Sequence, residues 1–84
     1  MKAKLYPNPA STGSQLELAG LQVGQTLYIS LVDLQGRMLW KEQLSIADER
    51  LLKPIDLQGL AAGLYQLRVV QADRAMQLPL LKSE

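Results

Sequence analysis

The sequence predicts an all-β fold, a sandwich of about seven short antiparallel strands, and three observations carry that expectation. Apolar residues recur at every second position in segment after segment, which places them on one face of a pleated strand. Turn-forming residues punctuate the 84-residue chain every few to a dozen positions: Pro7-Asn8-Pro9, Thr12-Gly13-Ser14, Gly20, Gly24, Gln35-Gly36, Pro54, Gly59 and Gly63. The apolar segments between them are too short and too often interrupted for long helices.

Taken in order, the expected strands are 2–6, 14–19, 26–33, 37–44, 52–57, 64–71 and 74–82. In the second, Leu16 and Leu18 flank Glu17, and in the fifth Ile55 and Leu57 flank Asp56. Leu27, Ile29 and Leu31 share one face of the third; Tyr65, Leu67 and Val69 alternate with Gln66 and Arg68 in the sixth. Met76, Leu78 and Leu80 alternate with Gln77, Pro79 and Leu81 in the seventh. A one-residue slip would turn each apolar set to water, so the registers are well specified. Only Leu44 to Lys53 offers a helical reading, where Ser45 and Asp48 resemble a capping box. Pro54 confines any such helix to about two turns, and a loop with at most one helical turn is expected there. Seven short strands without a long helix are the pattern of an immunoglobulin-like two-sheet sandwich. Two prolines remove backbone donors near the start, so the first dozen residues are expected to be looser than the rest.

Composition narrows the function. One small domain, residues 1–84, is what this length accommodates. Hydrophobic residues form 48% of the chain and 18 positions are Leu, an adequate supply for a core in a chain this size. There is no Cys and no His, which removes the strongest nucleophile, the commonest acid–base group and the usual zinc ligands. Ser11, Ser14, Ser30, Ser45 and Ser83 lie in no nucleophile motif, and the eight carboxylates are dispersed. No catalytic residue, cofactor-binding residue or metal ligand is therefore assigned, and the chain is expected not to be an enzyme. Nine Lys and Arg against eight Asp and Glu are scattered singly, so no basic stripe for nucleic acid exists. No apolar run approaches the roughly 20 residues that span a bilayer as a helix. No signal-peptide core follows Met1-Lys2-Ala3-Lys4, so an inner-membrane address is expected elsewhere in a longer gene.

Three turns read as specified. In Asp33-Leu34-Gln35-Gly36-Arg37, Gly36 supplies a positive φ and the Asp33 carboxylate can bond the free amides of its own turn. Leu60-Ala61-Ala62-Gly63-Leu64-Tyr65 resembles a tyrosine corner, in which a ring enters the core and its hydroxyl bonds upstream backbone. Pro7-Asn8-Pro9 is a rigid exit from the first strand, either a plain turn or a recognition handle. Pro79 suits an edge strand, which makes Arg74 to Lys82 a candidate docking strip for a partner strand, or for a second copy in an edge-strand dimer. Tyr28 and Trp40 are candidates for an aromatic ligand platform on an outer hairpin face; cross-strand packing or partial core burial is the structural reading.

In this order, Leu5-Tyr6-Pro7-Asn8-Pro9-Ala10, Asp33 to Leu39, Leu57 to Val69 and Leu80-Leu81-Lys82 resemble the type A C-terminal sorting domains of the bacterial type IX (Por) secretion system. The resemblance implies a seven-stranded immunoglobulin-like sandwich at the end of a larger secreted protein. It implies that the domain directs its cargo from the periplasm across the outer membrane through a translocon and an outer-membrane shuttle. A sortase-like peptidase then cuts just upstream, and the cargo is commonly joined to an anionic lipopolysaccharide at the cell surface. The family pattern falls on Pro7, Asn8, Pro9, Gly36, Arg37, Gly63, Tyr65, Leu81 and Lys82. The tail departs from it, since Ser83-Glu84 follow Lys82 where members often finish on a basic residue. The alternative function is an accessory immunoglobulin-like adhesive or carbohydrate-binding module using Tyr28 and Trp40.

Overall fold

The structure, a computed structural model, describes residues 1–83. Seven strands form: β1 (Lys2–Tyr6), β2 (Gly13–Ala19), β3 (Thr26–Val32), β4 (Met38–Ser45), β5 (Leu51–Asp56), β6 (Gly63–Gln71) and β7 (Arg74–Lys82). They build a three-stranded sheet in the order β1-β2-β5 and a four-stranded sheet in the order β4-β3-β6-β7, with every named pair antiparallel. This is the expected immunoglobulin-like β-sandwich, with boundaries within one residue of those read from the alternation.

The alternation works as its period requires. Leu16 and Leu18 on β2, Leu27, Ile29 and Leu31 on β3, Ile55 on β5, Tyr65, Leu67 and Val69 on β6 and Leu80 on β7 are buried together between the sheets. Burying each aliphatic side chain is worth about 1.5–3 kcal/mol, so these few positions supply most of the drive to fold. Between β4 and β5 the chain forms no helical turn. Ile46 is buried, and the Asp48 carboxylate accepts the Arg50 N–H in a local turn. Gly24 N–H donates to Ile46 O and Leu21 N–H to Glu49 O, so two loops satisfy each other's backbone across the end of the sandwich.

Four strands are edges: β1 and β5 in one sheet, β4 and β7 in the other. Glu42 on β4 and Lys53 on β5 turn toward each other and join the two sheets at 2.6 Å. Charges aimed inward at an edge discourage strand addition there. The pair is partly exposed, so its own contribution to stability is at most about 1 kcal/mol.

The first dozen residues are not loose, contrary to the expectation from their prolines. After β1 the chain leaves its sheet through Pro7-Asn8-Pro9, with cis peptide bonds at Tyr6-Pro7 and Asn8-Pro9, and reaches the other sheet. There Ala10 is buried and forms a parallel bridge to Lys82 on β7. The donors that proline cannot offer are replaced by Asn8 and Ala10.

Candidate functional site

Because β6 runs antiparallel to both β3 and β7, the β3–β4 turn, the start of β6 and the end of β7 lie at one end of the four-stranded sheet. Asp33 organises the turn. Its Oδ1 accepts the N–H groups of Gln35 (3.0 Å) and Arg37 (2.9 Å), and its Oδ2 accepts from Arg37 Nε at 2.8 Å. Gly36 has a φ of 84°, the left-handed conformation that glycine takes without steric cost. Desolvation within the turn pushes the Asp33 carboxyl upward. The Arg37 backbone N–H, the Arg37 side chain and charge, and the Gln35 N–H outweigh it and hold the group below its usual carboxylate range.

Gly63 opens β6 opposite Lys82, with a φ of 153° that residues bearing side chains rarely adopt. Two residues on, the buried Tyr65 donates its hydroxyl proton to Ala61 O at 2.5 Å, completing the tyrosine corner. Arg37, Gly63 and Tyr65 line one open groove of about 390 Å³ between the hairpin tip and this corner.

The Pro-Asn-Pro segment reaches the same end from the other sheet. Asn8 Nδ2 donates to Pro79 O at 2.9 Å and its Oδ1 accepts the Leu81 N–H at 3.0 Å. Ala10 N–H donates to Leu81 O at 2.8 Å, and Ala10 O accepts the Ser83 N–H at 2.7 Å. Ser14 Oγ, on β2, donates to Pro7 O at 3.0 Å and ties the segment to the sandwich. Pro7, Asn8 and Pro9 are exposed, as is Leu81.

The expected site residues thus come from four separate stretches and gather at one end of the molecule. The C-terminal strip is an edge strand, but only part of that edge is open. Main-chain groups of residues 79, 81 and 83 are taken by the chain's own N-terminal segment. Tyr28 and Trp40 do not share a face. Tyr28 stands opposite Gln43 and is half exposed, whereas Trp40 stands opposite the buried Leu31 and packs against the core. Successive positions point to opposite faces, and the bulge at Leu31/Val32 does not bring the two rings together. No paired aromatic platform is assembled. Of the tail, Ser83 is held by Ala10 O, and Glu84 lies outside the described residues.

Sequence reading missed two side chains. Ala10 has no motif of its own and shows its role only through the bridge to Lys82. Gln71 is 1% exposed, donates to Gln22 O and Gln25 O, and accepts the Gln22 N–H. Its signal was present: Gln71 is the fourth member of the inward series Tyr65, Leu67, Val69, and a polar residue there needs partners.

No group of three or more acidic or other metal-ligating side chains occurs among the described residues, and no helix there is long and apolar enough to cross a membrane. The fold and the assembled end define an immunoglobulin-like module with turns and strand ends gathered at one end. The sequence matches the family described as secretion system C-terminal sorting domain over residues 4–80, and the chain belongs to that family. Its members act as C-terminal sorting signals of the type IX secretion system and are in general non-catalytic. Membership implies export toward the outer membrane or cell surface, a type IX secretion system, and an upstream cargo domain. A search of curated proteins finds no match.

Proposed function

We propose that residues 1–84 act as one sorting domain excised from a larger secreted protein. Its recognition surface is the end of the sandwich where Pro7, Asn8, Pro9, Gly36, Arg37, Gly63, Tyr65, Leu81 and Lys82 gather. The observation that carries this reading is their convergence: turns and strand ends far apart in sequence form one rigid end. Met1 lies at the other end, beside Gly20 and near Glu49 and Arg50. A cargo joined before Met1 therefore leaves from the end opposite the recognition surface.

In this reading the folded domain carries its cargo through the periplasm to the type IX translocon and the outer-membrane shuttle. A sortase-like peptidase then removes the domain as the cargo is anchored at the cell surface. Recognition, rather than bond chemistry, is the domain's own contribution.

The test is a fusion of residues 1–84 behind a folded periplasmic reporter in a bacterium with type IX secretion. Surface delivery of the reporter, with release of a fragment of the domain's size, is expected. Retention of the folded fusion in the periplasm would refute the reading.

A further inference from the structure

Asn8 sits between two prolines and places its side chain on the backbone of the last strand, 71 and 73 residues away. In a parallel ladder, one residue donates its N–H and accepts with its C=O on either side of the residue opposite. Ala10 does this across Lys82, bonding Leu81 O and the Ser83 N–H. One rung earlier the main chain at residue 8 makes no such bonds, and Pro9 has no N–H to give. The Asn8 carboxamide fills that rung: Nδ2 donates to Pro79 O and Oδ1 accepts from Leu81 N–H, on either side of Leu80. A side-chain amide carries the same donor and acceptor as a peptide group, which is why Asn suits the position where Asp, Ser or Ala does not.

Leu80 is fully buried and its own backbone lies in the ladder to Tyr65, so β7 is held on both edges at this point. From Pro79 to Ser83 the strand behaves as an interior strand. Toward its start, Ala75 and Gln77 are exposed and no such cover occurs among the described residues.

We propose that Asn8 is a positioning residue: its amide stands in for a main-chain rung and fixes the last residues of β7 from within the chain. The Pro7-Asn8-Pro9 turn then serves recognition by presenting Leu81 and Lys82 in a fixed extended conformation, and is not itself what a partner reads. For export, this rests on the sorting reading above; for the clamp itself it does not.

Amide hydrogen exchange on the 84-residue chain tests the clamp. Asn8→Ala is expected to speed exchange of the Leu81 amide at least tenfold and that of Ser83 in the same direction. The amides of Leu80 and Lys82, and the core amides of Leu67 and Val69, are expected to keep their rates. Asn8→Asp, which still accepts from Leu81 N–H but cannot donate to Pro79 O, should fall between. Unchanged Leu81 exchange in Asn8→Ala overturns the proposal.

Reporter delivery then separates positioning from direct reading. Ala10→Pro removes the N–H that bonds Leu81 O, at a side chain buried beyond a partner's reach. Asn8→Gln keeps the carboxamide but displaces it by a methylene. Delivery is expected to follow Leu81 and Ser83 protection across all these variants, whichever residue is changed. If Ala10→Pro frees both amides yet delivers normally while Asn8→Ala does not, Asn8 is read directly and the proposal fails. Should Ala10→Pro also lose protection at Leu67 and Val69, the Asn8 series alone carries the comparison: delivery by Asn8→Gln at the wild-type level with Leu81 unprotected overturns it. A wild-type fusion that is not delivered counts against the sorting reading and leaves the clamp to the exchange data.

Discussion

The two ends of the sandwich are fastened by the same chemistry under opposite conditions. At one end the Gln71 carboxamide bonds the main chain of the β2–β3 loop, 46 and 49 residues away in sequence. At the other the Asn8 carboxamide bonds the main chain of β7. Gln71 is buried and its three bonds to the loop are partly buried, so water replaces them less readily if the side chain is lost. Asn8 is exposed, and water competes for its bonds throughout. A net hydrogen bond is worth about 0.5–1.5 kcal/mol, whereas stranding a buried donor or acceptor costs about 1–3 kcal/mol. The buried fastener therefore holds the fold, and the exposed one can be opened without unfolding it.

The largest expected effect comes from the buried end. Gln71→Ala strands the Gln22 N–H and the carbonyls of Gln22 and Gln25 and leaves a cavity. A loss of about 2–4 kcal/mol in unfolding free energy is expected from chemical denaturation. Against a typical total of about 5–15 kcal/mol this is a large fraction. A loss below about 1 kcal/mol would remove the contrast between the two ends. Tyr65 is intermediate, buried but at the recognition end. Tyr65→Phe deletes only the hydroxyl that bonds Ala61 O and is expected to cost about 1–2 kcal/mol in the same measurement.

Asn8→Ala comes next. Its effect on global stability is expected to stay within about 1 kcal/mol by denaturation, because both partners reach water when the amide is gone. A loss matching that of Gln71→Ala would make Asn8 a second structural fastener and end the distinction drawn from burial.

Most of the sandwich was legible because period-two alternation is strict in this chain. Leu27-Ile29-Leu31 and Tyr65-Leu67-Val69 each fix a face, and Gly36 and Gly63 mark where the backbone must turn. The tyrosine corner was legible for the same reason, since Leu60, Gly63 and Tyr65 stand in fixed spacing at a strand start. What stayed hidden depends on contacts between stretches far apart in sequence. Nothing in Pro7-Asn8-Pro9 names Pro79 or Leu81 as its partners, so the segment read as a rigid exit without an anchor, and the first dozen residues as looser than the rest, when they are clamped. Trp40 shows a second limit: alternation within β4 does not say which parity faces the core until the bulge at Leu31/Val32 is known. Gln71 was readable in principle, as a polar residue ending an apolar inward series.

The smallest effect belongs to the charged fastener of the recognition end, Asp33, and it depends on pH. Asp33 bonds the amides of Gln35 and Arg37 and the Arg37 guanidinium, and these hold its carboxyl below the usual range. A carboxyl whose folded pKa lies below its unfolded value adds stability that is fully present above the unfolded pKa, near 4. That contribution declines as pH falls and is gone once pH passes through the lowered folded value. The turn at the recognition end is thus expected to loosen in acid while the Gln71 end, which carries no ionisable group in its fastener, does not. Carboxyl titration followed by NMR should show Asp33 protonating below the usual carboxylate range, with the Gln35 and Arg37 amide signals moving at the same midpoint. Asp33→Asn retains an oxygen acceptor but not the charge, and its turn amides should no longer respond over that range. If Gln22 or Gln25 signals moved with the same midpoint, the two ends would be coupled and would not open separately.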